Sequence, residues 1–298
     1  MSNPYFNNDP FFGDGKGQQR RGGQPGAYPG AAGQQGYPGV PQAGQSAAGA
    51  TGTMAPAYDL EQAYNMPAAG PAQTGRMTYD DVIIRTGSLL GIIVVTGALA
   101  WFGPQALGAP QLVWPLMLVG AIGGLVLGLV NSFKREPSPA LIVGYAALEG
   151  LFLGGISGIF ETMYPGIVVQ AVLATFATFG ATLLLFRSGK IRVTPKFQRI
   201  VLVALVGYAF FSLINLGLML FGVMDGWGMR EGPIGILIGV AAVILAAACL
   251  VIDFDAIKRG IERGAPAKYA WAAAFGLTVT LVWMYLEFLR LLAILRGD

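Results

Sequence analysis

The chain divides by hydropathy near residue 76. Residues 1–75 contain almost no aliphatic runs, whereas beyond Tyr79 apolar runs recur near 84–103, 112–132, 140–160, 167–187, 198–221, 234–255 and 276–296. Each run is about 20 residues, long enough to cross a bilayer core as a helix rising about 1.5 Å per residue. The pattern therefore predicts an all-α membrane protein: a seven-transmembrane helix bundle over 76–298 behind a polar N-terminal tail. Thr78 with Asp81 reads as the N-cap pair that starts the first helix. Gly120, Gly124 and Gly128 in the second run, and Gly150, Gly154 and Gly158 in the third, put small residues four apart. Such stripes let helices pack closely in lipid.

Composition sharpens this picture. The chain is 54% apolar and only 12% charged, with mean hydropathy +0.58, well outside the range of soluble domains. The tail, rich in Gly, Pro, Gln and Tyr ("GAYPG", "QGYPGV"), cannot bury enough apolar surface to offset chain entropy and is expected to be disordered. It has no apolar h-region, so it is not read as a signal peptide. The basic residues set the orientation. Lys134 and Arg135 follow run 2; Arg187, Lys190, Arg192, Lys196 and Arg199 surround the connection after run 4; Lys258, Arg259, Arg263 and Lys268 follow run 6. The connections after runs 1 and 3 have none, and the one after run 5 has only Arg230. The positive-inside rule then places the tail in the cytoplasm and the C-terminus outside, with Arg296 as a mild dissent. Trp101, Trp114, Trp227 and Tyr164 fall near the outer ends, where an aromatic belt belongs. This charge distribution orients a membrane protein and argues against nucleic-acid binding.

Several chemistries are excluded or weakened. There is no histidine, hence no imidazole base, metal ligand or pH switch, and the single cysteine allows no intramolecular disulfide. "GISG" at 155–158 matches the short serine motif of rhomboid proteases, but Ser157 lacks the histidine base that this chemistry requires. Ser157 is expected instead to pack and to bond back to its own helix. No enzyme activity and no resident cofactor is expected.

The ionisable residues at bilayer depth are the functional candidates, because each is costly there without a partner. These are Glu149, Asp253, Asp255, Glu287 and Arg290. Asp255 has Lys258 and Arg259 one turn on and reads as a helix-exit charge. Asp253 has Ala256 and Ile257 at those positions and needs a tertiary partner or a proton. Glu287 is the expected partner, provided that "PAKYAWAAA" lies along the membrane interface, anchored by Lys268, Tyr269 and Trp271, and the last span starts near Gly276. Both acids would then lie about eleven residues from the ends of their helices. With a sharp turn at Gly264–Pro266, Glu287 would instead sit far above Asp253. Two carboxyls within about 8 Å would share a proton and titrate as a coupled pair, a pH sensor without histidine. They would form at most a weak Ca²⁺ site, since a strong one needs more oxygens. The competing reading is a structural pair of Glu287 with Arg290 at i+3. Glu149 has only Tyr145 as a local partner and is a candidate for lining a polar pathway.

At "GYAALEGLFLGGISGIF", "FSLINLGL", "VIDFDAIKRG" and "VWMYLEFLRLLAIL" the chain resembles the Bax inhibitor-1 (transmembrane Bax inhibitor motif) family over about residues 76–296. The tail and the connection between the last two spans resemble a bacterial, actinobacterial branch. The resemblance implies a seven-helix bundle with the last span near the centre. It also implies a pH-sensitive Ca²⁺ leak gated by a di-acid pair at Asp253 and Glu287, in the bacterial inner membrane. Glu287 stands where the family has an aspartate, and Asp255 where it has an amide. A basic residue near the end of span 2 pairs with the acids in family members, which makes Lys134 and Arg135 candidates. Two other functions remain open: a proton-coupled transporter using the same acids, and a non-transporting regulator that binds membrane proteases or other membrane partners. The partners implied are the lipid bilayer, Ca²⁺ or H⁺, and membrane proteins.

Overall fold

A computed structural model describes residues 75–224, 226 and 228–297. The tail and Trp227 of the expected aromatic belt lie outside the described residues. Among these residues seven helices are long and apolar enough to cross a membrane. They are α1 (Tyr79–Ala106), α2 (Val113–Phe133), α3 (Pro139–Met163), α4 (Ile167–Arg187), α5 (Pro195–Leu220), α6 (Gly232–Glu262) and α7 (Ala270–Gly297). Each coincides with one apolar run to within a few residues, and α1, α3, α6 and α7 extend beyond theirs at both ends, because polar ends continue the helix outside the hydrocarbon. α1 starts where expected: the Thr78 hydroxyl accepts the Asp81 N–H, and the Asp81 carboxylate accepts the Thr78 N–H. These two bonds satisfy donors that a helix start leaves open.

Contacts identify the two ends of the bundle. At the end where α1 begins, here the proximal end, Met77 N–H donates to the Ala265 carbonyl (2.7 Å), and Lys268 pairs with Glu136 of the α2–α3 connection (3.2 Å). At the distal end the Arg296 guanidinium donates to the Pro165 carbonyl (2.9 Å). That bond gives the dissenting basic residue a local structural partner.

α7 is the hub. It packs against α6, α1, α4 and α3, and 67% of its spanning window is buried, against 11% for α2 and 17% for α5. α5 is peripheral, resting on α6 and on the short turn Gly228–Arg230. α3 lies between α1 and α2, and the glycine stripes make that possible. A Cβ on Gly120 would stand 2.5 Å from Phe152 N, and one on Gly154 would be 2.7 Å from the Gly97 Cα. Helices that touch backbone to backbone have no side chain to move aside. Gly154→Val is therefore expected to destabilise the bundle by about 2–3 kcal/mol or more. Gly87→Val, on an exposed stretch of α1 with nothing near its Cβ, should leave stability nearly unchanged. Thermal unfolding of both variants in a mild detergent checks the contrast, and equal effects would contradict it.

The connection between α6 and α7 differs from expectation. The chain turns sharply at Gly264, whose φ of +69° a residue with a Cβ would adopt only under strain. One short 3₁₀ turn (Ala267–Tyr269) then leads directly into α7 at Ala270. There is no interfacial segment. "AWAAA" is helix-favouring and nearly free of bulk. Ala270, Ala272, Ala273 and Ala274 are buried against their neighbours, and Tyr269 is buried rather than anchored at an interface. This changes the depth of everything that follows in α7.

Candidate functional site

Asp253 lies on α6 where it packs against α7, 2% exposed. Its carboxyl meets the Thr280 hydroxyl of α7 at 2.8 Å. No basic side chain pairs with it among the described residues. The same Thr280 hydroxyl lies 3.1 Å from the Gly276 carbonyl of its own helix. A hydroxyl has one proton and two lone pairs, so this trio has two self-consistent arrangements. With Asp253 ionised, Thr280 donates to the carboxylate. With Asp253 protonated, the acid donates to Thr280, and Thr280 donates to Gly276. Two helices are thus joined by a contact that accommodates a proton either way.

Glu287 does not join Asp253. It lies about two turns beyond Thr280 on α7, roughly 10 Å further toward the distal end at 1.5 Å per residue. The sharp turn at Gly264 causes this: α7 starts six residues earlier than Gly276, and Glu287 rises accordingly. Asp253 and Glu287 thus bond to different partners, at two levels of α7. Among the described residues no three acids, cysteines or histidines stand together as a metal site.

The Glu287 site is an ion cluster. Arg290, one turn on, reaches one carboxylate oxygen at 2.5 Å. The other oxygen accepts the Tyr208 hydroxyl of α5 and the Trp283 indole N–H (3.3 Å), with the Arg230 guanidinium at 3.8 Å. Arg230 comes from the distal turn between α5 and α6. It stacks over the Tyr208 and Phe211 rings (5.1 and 5.3 Å) and donates to the Ser212 hydroxyl. Gly239 of α6 makes room for Arg290: a Cβ there would stand 3.4 Å from its Nη2. Glu287 and Arg290 are each 5% exposed. Two guanidiniums thus face one carboxylate in the interior of the distal half.

The other candidates separate clearly. Asp255 pairs with Arg259 on its own helix (3.2 Å), as its spacing suggested, while Lys258 pairs with Glu262 (3.8 Å). Glu149 shares a hydrogen bond with Tyr145 and faces the gap left by Gly124, whose Cβ would meet the Glu149 carboxylate at 2.8 Å. Lys134 and Arg135 are exposed in the proximal connection and are not brought to either acid. Ser157 does not bond back to its helix; its hydroxyl meets the Tyr285 hydroxyl of α7 at 2.7 Å. The sequence reading missed Thr280, Tyr208, Trp283 and Arg230 as partners. Two of them carried a signal: Arg230, as the one basic residue in the connection after span 5, and Trp283, one turn before Glu287 on the same helix.

The family profile described as Bax inhibitor 1 like matches residues 3–297, so the match takes in the tail that the motif resemblance left aside. No curated protein and no solved structure matches the chain. Seven apolar helices and a profile match over nearly the whole length agree: this multi-pass membrane protein belongs to the Bax inhibitor 1 like family.

Proposed function

We propose that the protein is a pH-sensitive cation leak of a bacterial plasma membrane, with Ca²⁺ as the permeant ion. The observation that carries this reading is the Asp253–Thr280–Gly276 contact, a buried proton-accommodating joint between the central helix α7 and its main partner α6. An ionised carboxylate at 2% exposure with one hydroxyl donor is costly, and a change of charge there alters how α6 and α7 pack. Such a joint is the kind of bistable element that a proton can bias. Glu287 takes a different part from the shared proton expected of it. Both of its oxygens are held by donors, so in this packing it offers nothing to a passing cation. The orientation that fits is tail inside, since Lys134, Lys190, Arg192 and Lys258 gather at or near the proximal end.

Reconstitution into liposomes loaded with a Ca²⁺ indicator tests the reading. Ca²⁺ entry should exceed that of protein-free vesicles and change with pH across the range in which a carboxyl titrates. Entry equal to that of empty vesicles at every pH would overturn it.

A further inference from the structure

The cluster around Glu287 borders a cavity of ≈ 300 Å³ between α3, α5 and α7. Its charge balance is unequal, with two guanidiniums to one carboxylate. Its hydrogen bonds are also incomplete: Nε and Nη1 of Arg290 and Nε of Arg230 are buried without an acceptor. Buried guanidinium N–H groups are rarely left open, because each lost bond carries the desolvation penalty of a charged donor. Arg290 cannot turn away, because its Nη2 is fixed on Glu287 and α6 packs against it at Gly239. The remaining wall is apolar and aromatic, formed by Phe152, Ile156 and Phe160 of α3 with Trp283 and Leu289 of α7.

We propose that this cavity is a binding site for an organic anion: one singly charged oxyanion on a small apolar body. The oxyanion lies beside the two guanidiniums that line the cavity and cancels their surplus positive charge, and a small rotation of the guanidinium planes brings the open N–H groups to it. The apolar body lies against the α3 wall. A metal cation is repelled by the same charges, so the site is distinct from any cation path. A small carboxylate and the phosphodiester of a lipid headgroup share this chemistry. The proposal is independent of whether the protein conducts ions.

The test uses the full chain purified in a non-ionic detergent, with benzoate as the soluble probe and phosphatidylglycerol, supplied in mixed micelles, as the lipid probe. Binding is followed by calorimetry and by the rise in unfolding temperature. Saturable binding of at least one probe is expected, weakening as salt is raised. Arg290→Lys keeps the charge opposite Glu287 but not the guanidinium fork, and should weaken binding by about tenfold or more. Ile156→Trp fills the cavity without altering charge and should weaken it comparably. The unfolding temperatures of the ligand-free variants report whether each is folded; the variant that retains the wild-type value decides the outcome. Binding of benzoate assigns the site to soluble carboxylates, and binding of phosphatidylglycerol alone assigns it to lipid headgroups. The proposal is overturned if neither probe binds saturably at millimolar concentration, or if a folded variant binds as the wild type does.

Discussion

Glu287→Ala is expected to lower the stability of the bundle by about 3–5 kcal/mol, the largest loss for any single side chain in the polar interior. The expectation follows from what is left behind. Arg290 at 5% exposure and Arg230 beside it would face each other without the carboxylate between them. Tyr208 and Trp283 would each lose an acceptor. Removing one member of a buried charged network costs more than the network itself contributes, because the survivors remain desolvated. The measurement is unfolding in a non-ionic detergent, compared with Glu287→Gln and with the double variant Glu287→Ala/Arg290→Met. Gln keeps the shape and one acceptor but not the charge, so it should fall between. The double variant removes one orphaned guanidinium and should recover part of the loss. A Glu287→Ala protein within about 0.5 kcal/mol of the wild type would show that the cluster is hydrated or relaxed, and would contradict the account.

The same cluster shows how far the sequence could be followed. The seven spans were legible because bilayer thickness fixes their length and hydropathy marks them directly. Asp255 with Arg259, and Glu149 with Tyr145, were legible because both partners lie one turn apart on one helix. The depth of Glu287 was not, because it depended on whether "PAKYAWAAA" runs along the membrane or into it. Alanine-rich composition suits both, and the difference of about two turns decides whether two acids meet. Trp283 lies one turn before Glu287 on the same helix and was legible by that rule, though it was not read. Thr280 and Tyr208 escaped for a further reason: which side chains face each other across helices depends on how each helix is rotated about its axis, and near-uniform apolar spans leave that rotation unmarked. Arg230 was read only as an orientation signal, yet it folds inward because Tyr208, Phe211 and Glu287 offer it a better environment than the surface turn.

Asp253→Asn is expected to abolish the pH dependence of Ca²⁺ leak, holding flux at every pH at the level that the wild type reaches at its acidic limit. The direction follows from chemistry. An amide is nearly isosteric with a carboxylic acid and carries no charge, so Asn at this position imitates the protonated state permanently. It can accept from Thr280 through its carbonyl and retain the α6–α7 contact, so folding should survive with a change of about 1 kcal/mol or less. Thr280→Val separates charge from packing. It keeps the shape of the β-branched side chain but removes the hydroxyl that lies within reach of both Asp253 and the Gly276 carbonyl. An ionised Asp253 would then have no donor from α7, which penalises that state relative to the protonated one. The pH response of Thr280→Val should persist, with its midpoint displaced to higher pH than in the wild type. The sign is the check on the assignment: a flat Asn variant beside a Val variant displaced upward places the proton on Asp253. An Asn variant that still follows the wild-type curve moves it elsewhere, with Glu149, beside Tyr145 and Gly124, as the next acid to test.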